Sequence, residues 1–193
     1  MKLRRSFYLD DDVVAIARDL LGKVLVTRLD GRRTTGIITE TEAYAGIHDR
    51  ASHAWNGRRT ARTEVMYAKG GTAYVYLCYG IHHLFNVVTN VEGVPHAVLV
   101  RAVHPLEGID IMRERRQGRL VTNGPGTVSS ALGIRTTHTG TDLLGDTIWI
   151  EDHGIAVPRK HIIVGPRIGV DYAGSDALLP YRFRVAPSHL PTP

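Results

Sequence analysis

The segment Thr39-Glu40-Thr41-Glu42-Ala43-Tyr44 places two carboxylates and a phenol two residues apart. In an extended chain this spacing sets Glu40, Glu42 and Tyr44 on one face and Thr39, Thr41 and Ala43 on the other. Acidic residues are poor strand formers, and two on one face repel. Two readings fit: a solvated edge strand, or a carboxylate beside an aromatic wall that serves as general base. Further on, Arg101 lies inside the apolar run Ala97 to Val103. A half-buried guanidinium there needs an acidic or phosphate partner. A purely structural ion pair is one option, and it leaves room for a role beside Glu42.

Between these segments runs a loop from Ala45 to Lys69, rich in cations (Arg50, Arg58, Arg59, Arg62 and Lys69) with Trp55, Thr60, Met66 and Tyr67 interleaved. It reads either as a solubilising loop or as a surface for phosphate groups. His48 and His53 with Asp49 invite a metal reading, but a five-residue separation of the histidines matches no standard ligand geometry. A metal-dependent hydrolase built on Glu40, Glu42, His48 and His53 would be sensitive to chelators; the expectation here is no metal and no cofactor. In Tyr74-Val75-Tyr76-Leu77-Cys78-Tyr79-Gly80-Ile81-His82-His83-Leu84-Phe85-Asn86, Tyr74 and Tyr76 suit a strand core. Tyr79 and Ile81 instead flank the turn glycine, where an exposed aromatic and apolar tip has little structural purpose. Proteins that kink DNA insert such wedges between base steps. Asn123-Gly124-Pro125-Gly126 leads into a helix whose free N–H groups could hold a phosphate.

These residues need elements to position them. Val13, Ile16, Ala17, Leu20 and Leu21 recur at helical spacing, predicting a helix over Asp11 to Leu21 with acidic residues at its start and Gly22 as its stop. Lys23 to Arg28 and Thr35 to Tyr44 read as paired strands about a turn at Gly31. Tyr44 to Gly71 is irregular, with a short helix near Thr63 to Tyr67. Thr72 to Cys78 and Leu84 to Thr89 form strands of a hairpin, and Val98 to Ala102 another strand. Pro105 to Arg116 and Gly126 to Leu132 read as helices. Thr147 to Glu151, Ala156 to Pro158 and Arg182 to Val185 read as short strands. Sheet dominates without regular βαβ alternation. The expected fold class is α+β, one compact domain over residues 1–193, around a curved, mostly antiparallel sheet with a protruding hairpin and a few flanking helices.

The chain has 193 residues, 43% hydrophobic and 22% charged, which rules out wholesale disorder. A net charge of +5 permits a polyanionic partner. The single cysteine excludes an internal disulfide and the two-cysteine ligand set of a zinc deaminase. No apolar run reaches the roughly 18 residues of a membrane span, and Met1 to Asp12 lacks a signal-peptide core. The expectation is a soluble protein of a reducing compartment without a membrane partner.

Taken in order, Glu40-Thr41-Glu42-Ala43-Tyr44 with Gly46 and His53, Tyr74-Val75-Tyr76 through Tyr79-Gly80, Asn86, Arg101-Ala102, Pro105-Leu106-Glu107-Gly108, Gly124-Pro125 and Arg167-Ile168-Gly169-Val170 resemble the alkyladenine (3-methyladenine) DNA glycosylases. The likeness covers nearly the whole chain from Phe7, with a longer loop at Glu92 to Pro95 than in mammalian members. It implies a monofunctional enzyme that turns an alkylated purine (3-methyladenine, 7-methylguanine) out of duplex DNA. Neutral bases such as hypoxanthine or ethenoadenine would need a proton or strong hydrogen bonds from the pocket; the sequence shows no certain general acid and leaves open whether the range extends to them. The enzyme would hydrolyse the N-glycosidic bond and so start base excision repair. By resemblance, Glu42 activates the attacking water, with Arg101 and the Ile168 backbone carbonyl helping to hold it. Tyr44, His53 and Tyr76 surround the base, Asn86 crowds the exocyclic amine of guanine, and Tyr79 fills the vacated gap. Ile81, Arg58, Thr60, Arg62 and Met66 contact DNA. The same features would also serve a non-catalytic damaged-DNA-binding module. A monomer would suffice, in the cytoplasm and nucleoid of a bacterium or the nucleus of a eukaryote.

Overall fold

Antiparallel pairing of eight strands builds one curled, half-barrel sheet with a few helices packed on it. The computed structural model describes residues 1–190. The strands are β1 (Val24–Leu29), β2 (Arg32–Tyr44), β3 (Thr72–Cys78), β4 (His82–Thr89), β5 (His96–Glu107), β6 (Ile148–Glu151), β7 (Ile163–Gly165) and β8 (Arg182–Arg184). The helices are α1 (Arg5–Tyr8), α2 (Val13–Asp19), α3 (Ile109–Arg115) and α4 (Pro125–Leu132). The main strand order is β3-β4-β5-β2-β1-β6; β8 pairs with the far end of β2 and with β7.

Alternation decides which side each residue faces. Ala43, Val75, Phe85, Val87, Val98 and Val100 point into the main core against α2 and α4, and all are buried. Thr41 shares that face and donates its hydroxyl to the Ala17 carbonyl of α2 (2.6 Å). The alternate positions, Tyr74, Tyr76, Asn86, Leu99, Glu42 and Tyr44, face the other way. The register Tyr74↔Asn86, Asn86↔Leu99 and Leu99↔Glu42 lines them up in one row across four strands. That row is the wall of the site.

Several boundaries differ from the sequence expectation. The segment around Glu42 is no edge strand, because β2 is hydrogen-bonded on both sides, to β5 and to β1 and then β8. The helix expected over Pro105 to Arg116 starts only at Ile109; Pro105 to Glu107 continue β5, where Glu107 and Pro105 pair with Thr35 and Gly36. Gly108, at φ 70°, makes the break between them. Ala156 to Pro158 is not a strand; the short strand follows at Ile163–Gly165, paired with β8. The first helix is trimmed to Val13–Asp19, capped by Asp12, whose carboxylate accepts from the Val14 and Ala15 N–H groups.

Candidate active site

Glu42 is completely buried, yet both of its carboxylate oxygens have partners, with Oε1 taking only one. Its Oε1 accepts the Ile168 N–H (2.8 Å), and its Oε2 accepts the Tyr44 hydroxyl (2.9 Å) and the Arg101 guanidinium (3.4 Å). Burial pushes its carboxyl up from the usual range, and the Arg101 charge, the Ile168 N–H and the Tyr44 hydroxyl pull it back. A carboxylate so placed can serve as a base.

Arg101 reaches it because β5 is bulged. Thr41 pairs with Val100 and Glu40 with Ala102, so Arg101 is the extra residue of the pair and its side chain is re-aimed. Its guanidinium bridges Glu42 and Glu40 (Nε to Glu40 Oε1, 3.2 Å), and Arg182 holds Glu40 from the other side (2.6 Å). The two guanidiniums thereby offset the repulsion between the two glutamates, of which a part still acts to raise the Glu42 carboxyl.

In front of this group opens a cavity of about 270 Å³, lined by Tyr44, His53, Met66, Tyr74, Tyr76, Asn86, Leu99, Arg101 and Ile168 among others. It lies near the small end of ligand pockets, sized for one heterocycle. His53 packs edge-on against Tyr76 (centroids 4.7 Å apart) and its Nδ1 lies 2.8 Å from the Tyr74 hydroxyl. Burial, followed by the nearby Arg62 and Arg58 charges, lowers its pKa to about 4, so the ring is neutral near pH 7. Asn86 is pinned by its amide N–H groups to the Tyr74 and Leu84 carbonyls (3.2 Å each) and cannot swing aside.

The β3–β4 hairpin carries Tyr79 and Ile81 out of the molecule, 91% and 71% exposed. Tyr79 (φ 50°) and Gly80 (φ 72°) are both left-handed, closed by the Ile81 N–H to the Cys78 carbonyl (3.2 Å). For tyrosine this conformation is strained, and strain held at an exposed tip points to use rather than packing. Arg58, Thr60 and Arg62 are exposed on the loop beside the cavity, with Arg62 over the Tyr76 ring at 5.0 Å. Met66, expected on the DNA side, is instead buried among Ala54, Tyr67, Tyr74, Val88 and Ala97 and forms part of the cavity floor; its place on the 3-10 turn Glu64–Tyr67 turns it inward. The α4 N-terminus is no open phosphate cradle: Thr127 Oγ1 accepts the Gly124 N–H (3.1 Å) and the His82 ring packs on Gly126. Among the described residues, no three His, Cys, Asp or Glu side chains converge as a metal-ligand set.

One pair escaped sequence reasoning. Arg167 and Asp49 form a buried two-pronged ion pair, and Arg167 also donates to the Ala43 (2.9 Å) and Asp176 (3.1 Å) carbonyls. Its guanidinium stacks near Tyr44 (4.9 Å) and Tyr181 (5.2 Å). Asp49 in turn accepts the Ala45 and Ala51 N–H groups (3.0 Å each). The segment bearing Ile168, the end of β2 and the loop bearing His53 are therefore clamped together. The one hint in the sequence was an arginine directly before Ile168 and a lone aspartate in a basic loop; nothing in their spacing joins them.

Residues 6–189 match the family model for methylpurine-DNA glycosylase. The chain belongs to this family. It is 48% identical over 195 residues to a protein of Chlamydia abortus, covering 94% of this chain and 96% of that one. It is 49% identical over 186 residues to one of Chlamydia felis, with 94% of each covered, and 46% identical over 184 residues to one of Clostridium acetobutylicum, covering 90% and 88%. All three are provisionally named 3-methyladenine DNA glycosylases. The glycosylase is thus an enzyme that acts on DNA, and the reading as a non-catalytic binding module falls away. Among the described residues no helix is long and apolar enough to cross a membrane.

Proposed function

We propose that this glycosylase turns a damaged purine out of duplex DNA into the cavity beside Glu42 and hydrolyses its N-glycosidic bond. The observation that carries the reading is a fully buried carboxylate, held by three donors, behind a cage of Tyr44, His53 and Tyr76. A water against Glu42 loses a proton to it and adds to the anomeric carbon; the C1′–N9 bond breaks and its electron pair leaves with the base. Arg101 orients the carboxylate, and the Ile168 segment closes the site.

A purine methylated at N3 or N7 is cationic and already a good leaving group. Electron-rich rings attract it by cation–π contact, worth about 0.5–2 kcal/mol. Neutral His53 sets no positive charge against it. The fixed Asn86 amide crowds the position of guanine's exocyclic amine. Tyr79 fills the gap in the stack, offsetting an eversion cost of a few kcal/mol, while Arg58, Thr60 and Arg62 meet the phosphates. No lysine lines the cavity, so hydrolysis without a lyase step is the expected outcome. The reading places the protein as a monomer on the DNA of a bacterial cell, at the first step of base excision repair.

The test is product analysis on duplexes that each carry one defined lesion. Release of free 3-methyladenine and 7-methylguanine with an intact abasic strand supports the reading. Tight lesion binding without base release contradicts it, and release of hypoxanthine or ethenoadenine sets the outer limit of the range.

A further inference from the structure

Beside the base cavity lies a second cleft of about 370 Å³, which shares His53 and Tyr172 with it and is otherwise lined by Arg50, Ser52, Trp55 and Arg58. We propose that this cleft seats the sugar and phosphodiester of the nucleotide next to the everted one on the same strand. The inference rests on the glycosylase reading, because the shared wall makes an occupant of the cleft continuous with a base in the cavity.

Two features define the ligand chemistry. The first is aromatic: Trp55 is 45% and Tyr172 70% exposed, two large ring systems on one small depression, and nothing in the core requires either to be there. Such rings form stacking platforms along nucleic-acid strands without sequence preference. The second is charge. Among the described residues neither Arg50 nor Arg58 makes an ion pair, whereas the neighbouring Arg59 is tied to Glu64 at 2.7 Å. Two free guanidiniums beside two rings match a phosphodiester beside a sugar.

The cleft is also built rather than accidental. The Tyr172 hydroxyl donates to the Ala51 carbonyl (3.2 Å), fixing one wall to the loop that carries the other. The Arg58 carbonyl accepts both the Tyr67 (3.1 Å) and Thr63 (3.2 Å) hydroxyls, which holds the turn that follows Trp55. Asn56, at φ 56°, and Gly57, at φ 72°, make that turn tight. The Arg50 N–H is bound by Asp176 (2.9 Å), which anchors the root of its side chain.

The experiment pairs each protein cation with a single phosphate. The probe is a duplex with one 7-methylguanine, stabilised against hydrolysis by a 2′-fluoro group, with neutral methylphosphonate placed in turn at each linkage flanking the lesion. With wild type, one flanking position should weaken binding about tenfold, the scale of a single charged hydrogen bond. With Arg50→Ser the same substitution should change binding less than twofold. In parallel, Trp149→Phe leaves Trp55 as the remaining one of the chain's 2 tryptophans, and its emission should change on binding. Trp55→Ala should weaken binding about fivefold or more. If wild type releases 7-methylguanine from the unfluorinated duplex but no linkage couples to Arg50 and the Trp55 emission stays fixed, the cleft proposal is wrong and the glycosylase reading stands. If wild type releases no base at all, both fall.

Discussion

At the scale of single residues, the proposed chemistry turns on how Glu42 is kept as a base inside the protein. Burial raises its carboxyl above the ordinary value of 4.5, and Arg101 is the foremost counterweight. Excision by the proposed mechanism requires the ionised form, so the rate should fall on the acid side with a midpoint above that ordinary value. Replacing Arg101 by Gln removes a charge that favours ionisation, so the midpoint should move to still higher pH, measured as a single-turnover pH profile. An acid limb that stays in place would show that Arg101 does not tune this group. The alternation of Glu40, Glu42 and Tyr44 was legible in the sequence, and so was the need of Arg101 for an acidic partner. The bulge that lets one guanidinium serve two glutamates was not, since it depends on the pairing of β2 with a strand some sixty residues on.

At the scale of elements, two devices frame the site. One is the hairpin, whose turn chemistry and exposed tip follow from Tyr79-Gly80-Ile81 alone. Because Tyr79 pays a conformational cost of about 1 kcal/mol in the left-handed region and packs on nothing, Tyr79→Gly should leave the melting temperature unchanged or raise it. The same change should abolish the fluorescence signal of a base analogue at the lesion while unspecific binding persists. A melting temperature several degrees lower would place Tyr79 in the fold rather than the function. The other device is the Arg167–Asp49 clamp. Arg167→Leu leaves a buried carboxylate unpaired and should cost about 3–5 kcal/mol, read by denaturant unfolding. Arg167→Lys keeps the charge but not the paired contacts with Asp49, so it should fold while excising more slowly, as Ile168 loosens from Glu42. An undiminished excision rate in that variant would separate the clamp from catalysis. This clamp joins residues 118 apart and was illegible, whereas local features such as the apolar spacing and acidic start of α2 could be read directly.

At the scale of the whole molecule, the curled sheet gives one face to a buried apolar core and the other to a row of site residues, and that division follows from strand alternation. The boundary errors fall where short apolar runs fit either element, as at Pro105 to Glu107, and where tertiary pairing decides, as at β7. The cations of the proposed DNA face, Arg50, Arg58 and Arg62, lie on one loop beside the cavity. Affinity for DNA should therefore fall log-linearly with salt, and each of these arginines replaced by Ser should reduce the slope by about 1; an unaltered slope would move the DNA elsewhere. The account as a whole depends on Glu42 more than on any other group. Its most direct test is single-turnover base release from a duplex carrying one 7-methylguanine, with wild type beside Glu42→Gln. The account predicts that the variant binds the lesion within a few-fold of wild type but releases the base about 100- to 10,000-fold more slowly; equal release by both proteins would contradict it.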